Sequence, residues 1–268
     1  MLLLQTIMVI IINEVIFMNI LRQHIEQKKK LCGTVVTLTD PCICELFGYA
    51  GFDFVWIDTE HSYMSYKDVL CHINGAKSAN ICSLVRVPQN DLTATKKILE
   101  MGPDGIIFPM VRSTEEMNAL IDMTLYPPHG TRGFGPLRAI GYRPERSRDY
   151  VQKESLSLVR LVQIESIALI DALEEAAAHP FVDGFIFGPN DLSGSLGEML
   201  NVFGEKTVQA IRRAAEIIKR HGKKIGLACG SRPEEIEFWK AIGLDMLFAG
   251  GDWSFLSAKA SEVLALLG

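Results

Sequence analysis

With 268 residues, 48% of them apolar and 22% charged, the chain has an ordinary globular composition, which excludes a disordered polymer. A formal net charge of −5 leaves no general basic field to gather nucleic acid or an anionic membrane, so a small anionic ligand needs a local cation. The six cysteines (Cys32, Cys42, Cys44, Cys71, Cys82, Cys229) form no CxxC pair and no zinc spacing, and they read as reduced thiols of a cytoplasmic protein.

Residues 1–17 are strongly apolar but interrupted by Gln5, Asn13 and Glu14. A spanning helix needs about 20 predominantly apolar residues. A secretory signal needs a basic start and a small-residue cleavage site. Neither pattern fits, so the expectation is an extension that is not part of the fold, with a single domain over residues 18–268. Lys28, Lys29 and Lys30 behind the apolar stretch keep a weak membrane anchor as the alternative.

From there the chain alternates short β-branched runs with amphipathic stretches. A strand over 31–38 leads to a helix over 41–49, with Asp40 suited to cap it. A strand from Phe54 leads to a helix over 66–79, and a strand over 82–87 to a helix over 91–101 capped by Asn90 or Asp91. A strand over 105–110 precedes a helix over 113–125, opened by the capping box Ser113-Thr114-Glu115-Glu116. Residues 126–148 abandon periodicity and hold Arg132, Arg138, Arg143, Arg146 and Arg148. A loop this long is usually functional; a linker between two domains is the alternative. The alternation then resumes in the same style, with strands at 158, 184, 224 and 246 and helices over 167–178, 207–221, 233–241 and 253–267. Eight βα units specify a closed (β/α)8 barrel more naturally than an open doubly wound sheet. No glycine-rich dinucleotide fingerprint follows the first strand.

In such a barrel the residues just past the strand ends face one mouth. Those residues here are Asp58-Thr59-Glu60-His61, Arg86, Glu165 and Gly188-Pro189-Asn190-Asp191. Glu165 and Asp191 follow consecutive strands, where two carboxylates share a proton or hold a hard cation such as Mg²⁺ or Mn²⁺. Taken singly, Asp191 reads equally well as a helix cap or surface carboxylate. His61 suits a general base, with Asp58 or Glu60 to set its tautomer, or a structural histidine at a strand end. His24, His72, His129, His179 and His221 are assigned surface roles. Arg86 at a strand end needs an anionic partner, either Asp58 or a substrate carboxylate. Gly188-Pro189 and Gly250-Gly251 let backbone approach a ligand, or simply make turns. Together these groups suit an enolate mechanism on a 2-oxo acid, with a metal and Arg86 on the keto oxygen and His61 moving a hydroxyl proton.

The segment Ala50-Gly51-Phe52-Asp53-Phe54-Val55-Trp56-Ile57-Asp58-Thr59-Glu60-His61 resembles the AGFDxxxxDxEH motif of the HpcH/HpaI aldolase family. Further likenesses follow in family order: Val85-Arg86-Val87, Pro109-Met110-Val111, Tyr126-Pro127-Pro128 through Gly130-Thr131-Arg132-Gly133, Val162-Gln163-Ile164-Glu165, and Gly188-Pro189-Asn190-Asp191-Leu192-Ser193. The resemblance implies a TIM barrel of the phosphoenolpyruvate/pyruvate-binding type. It also implies a metal-dependent class II pyruvate aldolase, a lyase that reversibly cleaves a 4-hydroxy-2-oxo acid to pyruvate and an aldehyde. By matching position it implies Glu165 and Asp191 as ligands of Mg²⁺, Mn²⁺ or Co²⁺, Arg86 as the enolate-stabilising arginine, and His61 as the acid/base residue supported by Asp58. Gln163, Gly188, Pro189 and Asn190 are implied substrate contacts. A homo-oligomer, hexamer or trimer, is implied, with the last helix packed on a neighbouring subunit. Ile140, Ala228-Cys229-Gly230 and Gly250-Gly251-Asp252-Trp253 depart from the family pattern and leave the aldehyde side unread. Two alternatives stand beside the aldolase: a citrate-lyase β-like enzyme using the loop arginines on CoA phosphates, and a non-catalytic ligand-binding homologue.

Overall fold

Eight parallel strands close on themselves in strand order 1 to 8 in the computed structural model, which describes residues 19–27 and 30–267. They are β1 (Leu31–Val36), β2 (Phe54–Asp58), β3 (Cys82–Arg86), β4 (Gly105–Phe108), β5 (Val159–Ile164), β6 (Gly184–Phe187), β7 (Lys224–Cys229) and β8 (Met246–Gly251). The expected (β/α)8 barrel is present with all eight strands; the extension over 1–17 lies outside the described residues.

The strands read as continuous apolar runs because alternate residues serve two cores. Inward positions Phe54, Trp56, Cys82, Leu84, Ile107, Val159, Leu161, Ile186, Met246 and Phe248 fill the barrel. Outward positions Val55, Ile57, Val85, Ile106, Phe108, Val162, Phe185 and Phe187 pack under the helices. Filling is tight: a Cβ on Gly33 would lie 2.0 Å from Cε2 of Phe54, so only glycine leaves room for that ring. The helix Ile20–Glu26, capped by Asn19, inserts Leu21 and Ile25 into the same interior and closes its lower end.

Two expectations need correction. His72 is fully buried rather than on the surface, and its ring nitrogens lie 2.8 and 2.9 Å from the carbonyl oxygens of Asp68 and Leu38. Its position on the inner face of the helix Tyr66–Ser78, beside Val69, Ile73 and Ala76, puts it there. The segment 126–148 is not structureless: it carries short 3-10 turns at Arg138–Ile140 and Pro144–Arg146, and the helix Ser147–Gln152 follows. Arg132 is its anchor, buried between Glu100 and Tyr150 and stacked 4.6 Å over the Tyr126 ring. Asp191, for which a helix cap is one of the expected readings, lies in the first turn of the helix Pro189–Ser195 that Gly188-Pro189 initiates.

Of the last helix, Asp252–Leu267, only Asp252 is buried. It accepts bonds from Thr37 and the Leu38 N–H, but Trp253, Leu256, Leu264 and Leu267 are 61%, 58%, 70% and 79% exposed. Among the described residues no helix is long and apolar enough to cross a membrane.

Candidate active site

The inward register that fills the barrel continues to its mouth, where the side chains become polar. On β2 the sequence Phe54, Trp56, Asp58 points inward, and on β3 Cys82, Leu84, Arg86 does the same, with Asp58 opposite Arg86 in register. On β5, Val159, Leu161 and Gln163 lead to Glu165, one residue past the strand. Asp58, Arg86, Gln163 and Glu165 are all buried. Charge there is expensive without partners, and the partners are present.

Arg86 is gripped on three sides. Its Nε and Nη2 donate to the two oxygens of Asp58 at 2.9 and 2.5 Å, a bidentate fork. Its Nη1 donates to Gln163 Oε1 at 3.3 Å and lies 2.8 Å from Glu60 Oε2. The guanidinium also sits 4.8 Å from the Trp56 ring centroid. Gln163 then passes the contact on, its Nε2 donating to Glu165 Oε1 at 2.9 Å.

The other oxygen of Glu165 accepts the Met110 N–H at 2.7 Å. Met110 reaches it with a φ of 53°, a left-handed backbone that costs a non-glycine residue about 1–2 kcal/mol. Burial pushes the Glu165 carboxyl up to about 7; the Met110 and Arg86 contacts oppose this, and the charges of Glu60 and Asp191 add to it. Burial likewise raises Glu60, against the pull of Arg86 and His61. Gly188 passes close behind: a Cβ there would lie 2.7 Å from Glu165 Cγ. Glycine there leaves room for the Glu165 side chain.

His61 stands at the rim, largely exposed. The expected support of its ring by Asp58 is not what the geometry offers. Asp58 is consumed by Arg86 and by the backbone N–H groups of Glu60 and His61, and the carboxylate facing the imidazole is Glu60, 3.9 Å from Nε2. Next to His61 the mouth opens into a cleft of about 520 Å³ bordered by Thr37, Asn190, Ser231, Arg232 and Trp253. Met110 as a backbone donor and Trp56 as a floor escape a strand-end reading, whereas Glu60 is one of the two carboxylates that reading sets beside His61. Trp56 had a signal, since it lies two residues before Asp58 on the inward face.

The loop arginines lie elsewhere. Arg132 is bound to Glu100, Arg138 to Asn74 and the Met101 carbonyl, and Arg146 to Glu154 and the Ile140 carbonyl. These partners cluster where β4 and β5 begin, at the end of the barrel opposite the mouth.

Residues 32–231 match the family model described as HpcH/HpaI aldolase/citrate lyase. The chain is 33% identical to the hydroxypyruvate/pyruvate aldolase of Deinococcus radiodurans, over 87% of this chain and 83% of that one. It is 31% identical to the 2-dehydro-3,6-dideoxy-6-sulfogluconate aldolase of Pseudomonas putida, over 88% and 91%. Among solved structures, an HpcH/HpaI aldolase from Desulfitobacterium hafniense superposes with a TM-score of 0.86 at 26% identity, covering 92% of this chain and 96% of that one. The chain belongs to the HpcH/HpaI aldolase/citrate lyase family.

Proposed function

We propose that the protein cleaves a 4-hydroxy-2-oxo acid, such as a 2-keto-3-deoxy sugar acid or a 4-hydroxy-2-oxo-dicarboxylate, to pyruvate and an aldehyde, and runs the reverse addition at the same site. It is a carbon–carbon lyase of the aldolase kind. The observation that carries this reading is the buried chain of contacts Asp58–Arg86–Gln163–Glu165, with His61 at its rim.

Glu165 and Asp191 are the residues that would hold a divalent cation, Mg²⁺ or Mn²⁺. The fit rests on the donor chemistry: the charges of Glu60 and Asp191 both act on the Glu165 carboxyl, and that of Asp191 on Glu60, so these carboxylates lie near one another, and carboxylate oxygens suit a hard ion. When bound, such a cation supplies a Lewis acid for the substrate's keto oxygen. Arg86, oriented by Asp58, offers Nη1 to the same oxygen and stabilises its growing negative charge. His61 takes the proton of the C4 hydroxyl as the C3–C4 bond breaks. The electron pair of that bond passes to C3 and is delocalised onto the keto oxygen. The aldehyde departs, and protonation of C3 completes pyruvate. Gln163 fixes the spacing between Arg86 and Glu165, while Gly188, Pro189 and Asn190 border the substrate.

The acyl-CoA alternative offers the loop arginines for CoA phosphates; three of the five, Arg132, Arg138 and Arg146, are committed to protein groups at the end opposite the mouth. A binding-only homologue would have lost a site residue, and His61, Arg86, Glu165 and Asp191 are all retained. Pyruvate release, coupled to lactate dehydrogenase, from a panel of 4-hydroxy-2-oxo acids with Mg²⁺, Mn²⁺ or Co²⁺ tests the reading. Release from none of them, with cleavage of an acyl-CoA thioester instead, would overturn it.

The exposed apolar face of Asp252–Leu267 supports a homo-oligomer, trimer or hexamer, and six cysteines outside any disulfide among the described residues support a cytoplasmic setting. The double variant Leu256→Glu with Leu264→Glu is expected to halve the mass or more in light scattering and to lose at least about 10-fold in pyruvate release. An unchanged mass would remove this helix from the interface.

A further inference from the structure

The cleft beside His61 holds a guanidinium whose donors the fold leaves unused. Among the described residues, the charged side chains bordering that cleft of about 520 Å³ are Asp58, His61, Arg232 and Glu235. Asp58 is taken by Arg86, and Glu235 accepts the Gly230 N–H at 2.8 Å. The Arg232 side chain is 65% exposed, and the carboxylate oxygens it faces, on Glu234 and Glu235, both lie 3.6 Å away. That is beyond hydrogen-bond reach, and exposed ion pairs of this kind contribute little. The two acids have their own reason to be there. They occupy the first turn of the helix Pro233–Lys240, whose positive end they complement.

The course of the substrate leads to this group. In the proposed reaction the pyruvate half lies against the buried Arg86 and Glu165, and His61 at the rim meets the C4 hydroxyl. Whatever follows C4 therefore passes His61 into the cleft, where β7 ends and Gly230-Ser231 lead into Arg232. The hydroxyls of Thr37 and Ser254 on the cleft wall are committed, at 2.8 Å each, to Asp252 and the Gly251 carbonyl. Arg232 remains as the cation that meets the far end of the chain.

We propose that Arg232 selects the aldehyde. It binds an oxyanion, carboxylate or phosphate, at the end of the aldehyde chain, so that anionic aldehydes are preferred to neutral ones of similar length. The proposal rests on the aldolase reading and names the substrate class of that same site. No bond forms or breaks at Arg232: it acts on binding of the aldehyde half, and the proton and enolate chemistry stays with His61 and Arg86. A carboxylate suits the planar fork through two parallel N–H bonds, whereas a phosphate is held equally by a point charge.

The test is aldol addition of pyruvate, in the Mn²⁺-loaded full chain, to two matched pairs: succinate semialdehyde against butanal, and glyceraldehyde 3-phosphate against glyceraldehyde. Wild type is expected to favour the anionic member of at least one pair about 10-fold in kcat/KM, chiefly through KM, and to lose that preference as salt is added. Arg232→Gln should bring the ratio to about 1. Arg232→Lys tells the two oxyanions apart, since it keeps a phosphate preference and loses most of a carboxylate one. A ratio near 1 in wild type, or one that Arg232→Gln leaves as it was, would overturn the proposal, and turnover of the neutral aldehydes would still uphold the aldolase reading. If no aldehyde turns over, that reading fails. Calorimetric titration of succinate semialdehyde and glyceraldehyde 3-phosphate into wild type and Arg232→Gln then decides: weaker binding to the variant keeps the anion site, and equal binding removes it.

Discussion

Arg86→Ala is expected to reduce pyruvate release about 10³-fold and to destabilise the protein by about 3–5 kcal/mol. The two effects have one source. The guanidinium is both the positive contact for the developing enolate and the counter-charge for Asp58 and Glu60. Removing it leaves Asp58 buried with no cation opposite it. Arg86→Lys keeps one charge but loses the planar fork and the contact over Trp56, so it should recover part of the stability and little of the rate. The double variant Asp58→Asn with Arg86→Met separates the roles. It removes both charges and should regain much of the stability lost by Arg86→Ala while remaining inactive. Urea midpoints and steady-state pyruvate release measure the two quantities. A fully active Arg86→Ala would discard the enolate role, and an unchanged midpoint would mean that Asp58 does not depend on Arg86.

The barrel and its polar mouth are legible in the sequence because both follow from period two. Once Phe54 and Trp56 are inward, Asp58 is inward as well. The same parity carries Leu84 to Arg86 and Leu161 through Gln163 to Glu165. What parity does not carry is the direction a side chain takes after the strand has ended. Asp58 and Glu60 both lie near His61 in sequence, and choosing between them requires knowing that Arg86, 28 residues away, takes the Asp58 fork. The Met110 N–H is similarly hidden, because only the backbone turn at φ 53° aims it at Glu165. His72 was misplaced for a different reason. Polarity suggested solvent, but two backbone carbonyls from separate elements satisfy its ring in the interior. The arginine-rich segment reads as polar loop until Arg132 is seen between Tyr126 and Tyr150, which supply a burial site for its charge.

Without divalent cation, stability is expected to fall as pH rises from about 5 to 8, and Glu165 is the main cause. Its carboxyl is held near 7 in the folded protein against an ordinary value of 4.5. Between those values the folded chain keeps a proton that the unfolded chain has released. Fewer protons are bound in the unfolded state, so unfolding free energy decreases with pH. The contribution is complete below about pH 4.5 and is lost as pH passes 7; at about 1.4 kcal/mol for each pH unit, it reaches about 3 kcal/mol. Glu60, raised in the same direction by burial, adds a smaller share of the same sign. A divalent cation held by Glu165 and Asp191 needs the ionised carboxylate, so it competes with that proton. Added Mg²⁺ or Mn²⁺ should therefore raise the melting temperature strongly at pH 8 and hardly at pH 5.5, with proton release detectable by calorimetry in two buffers near pH 6.5. Glu165→Gln should flatten most of the metal-free slope and abolish the metal-dependent gain, leaving the shares of other buried carboxyls raised by burial, Glu60 and Asp104 among them. A cation gain that is equal at both pH values, or one that survives Glu165→Gln, would place the ion elsewhere in the mouth.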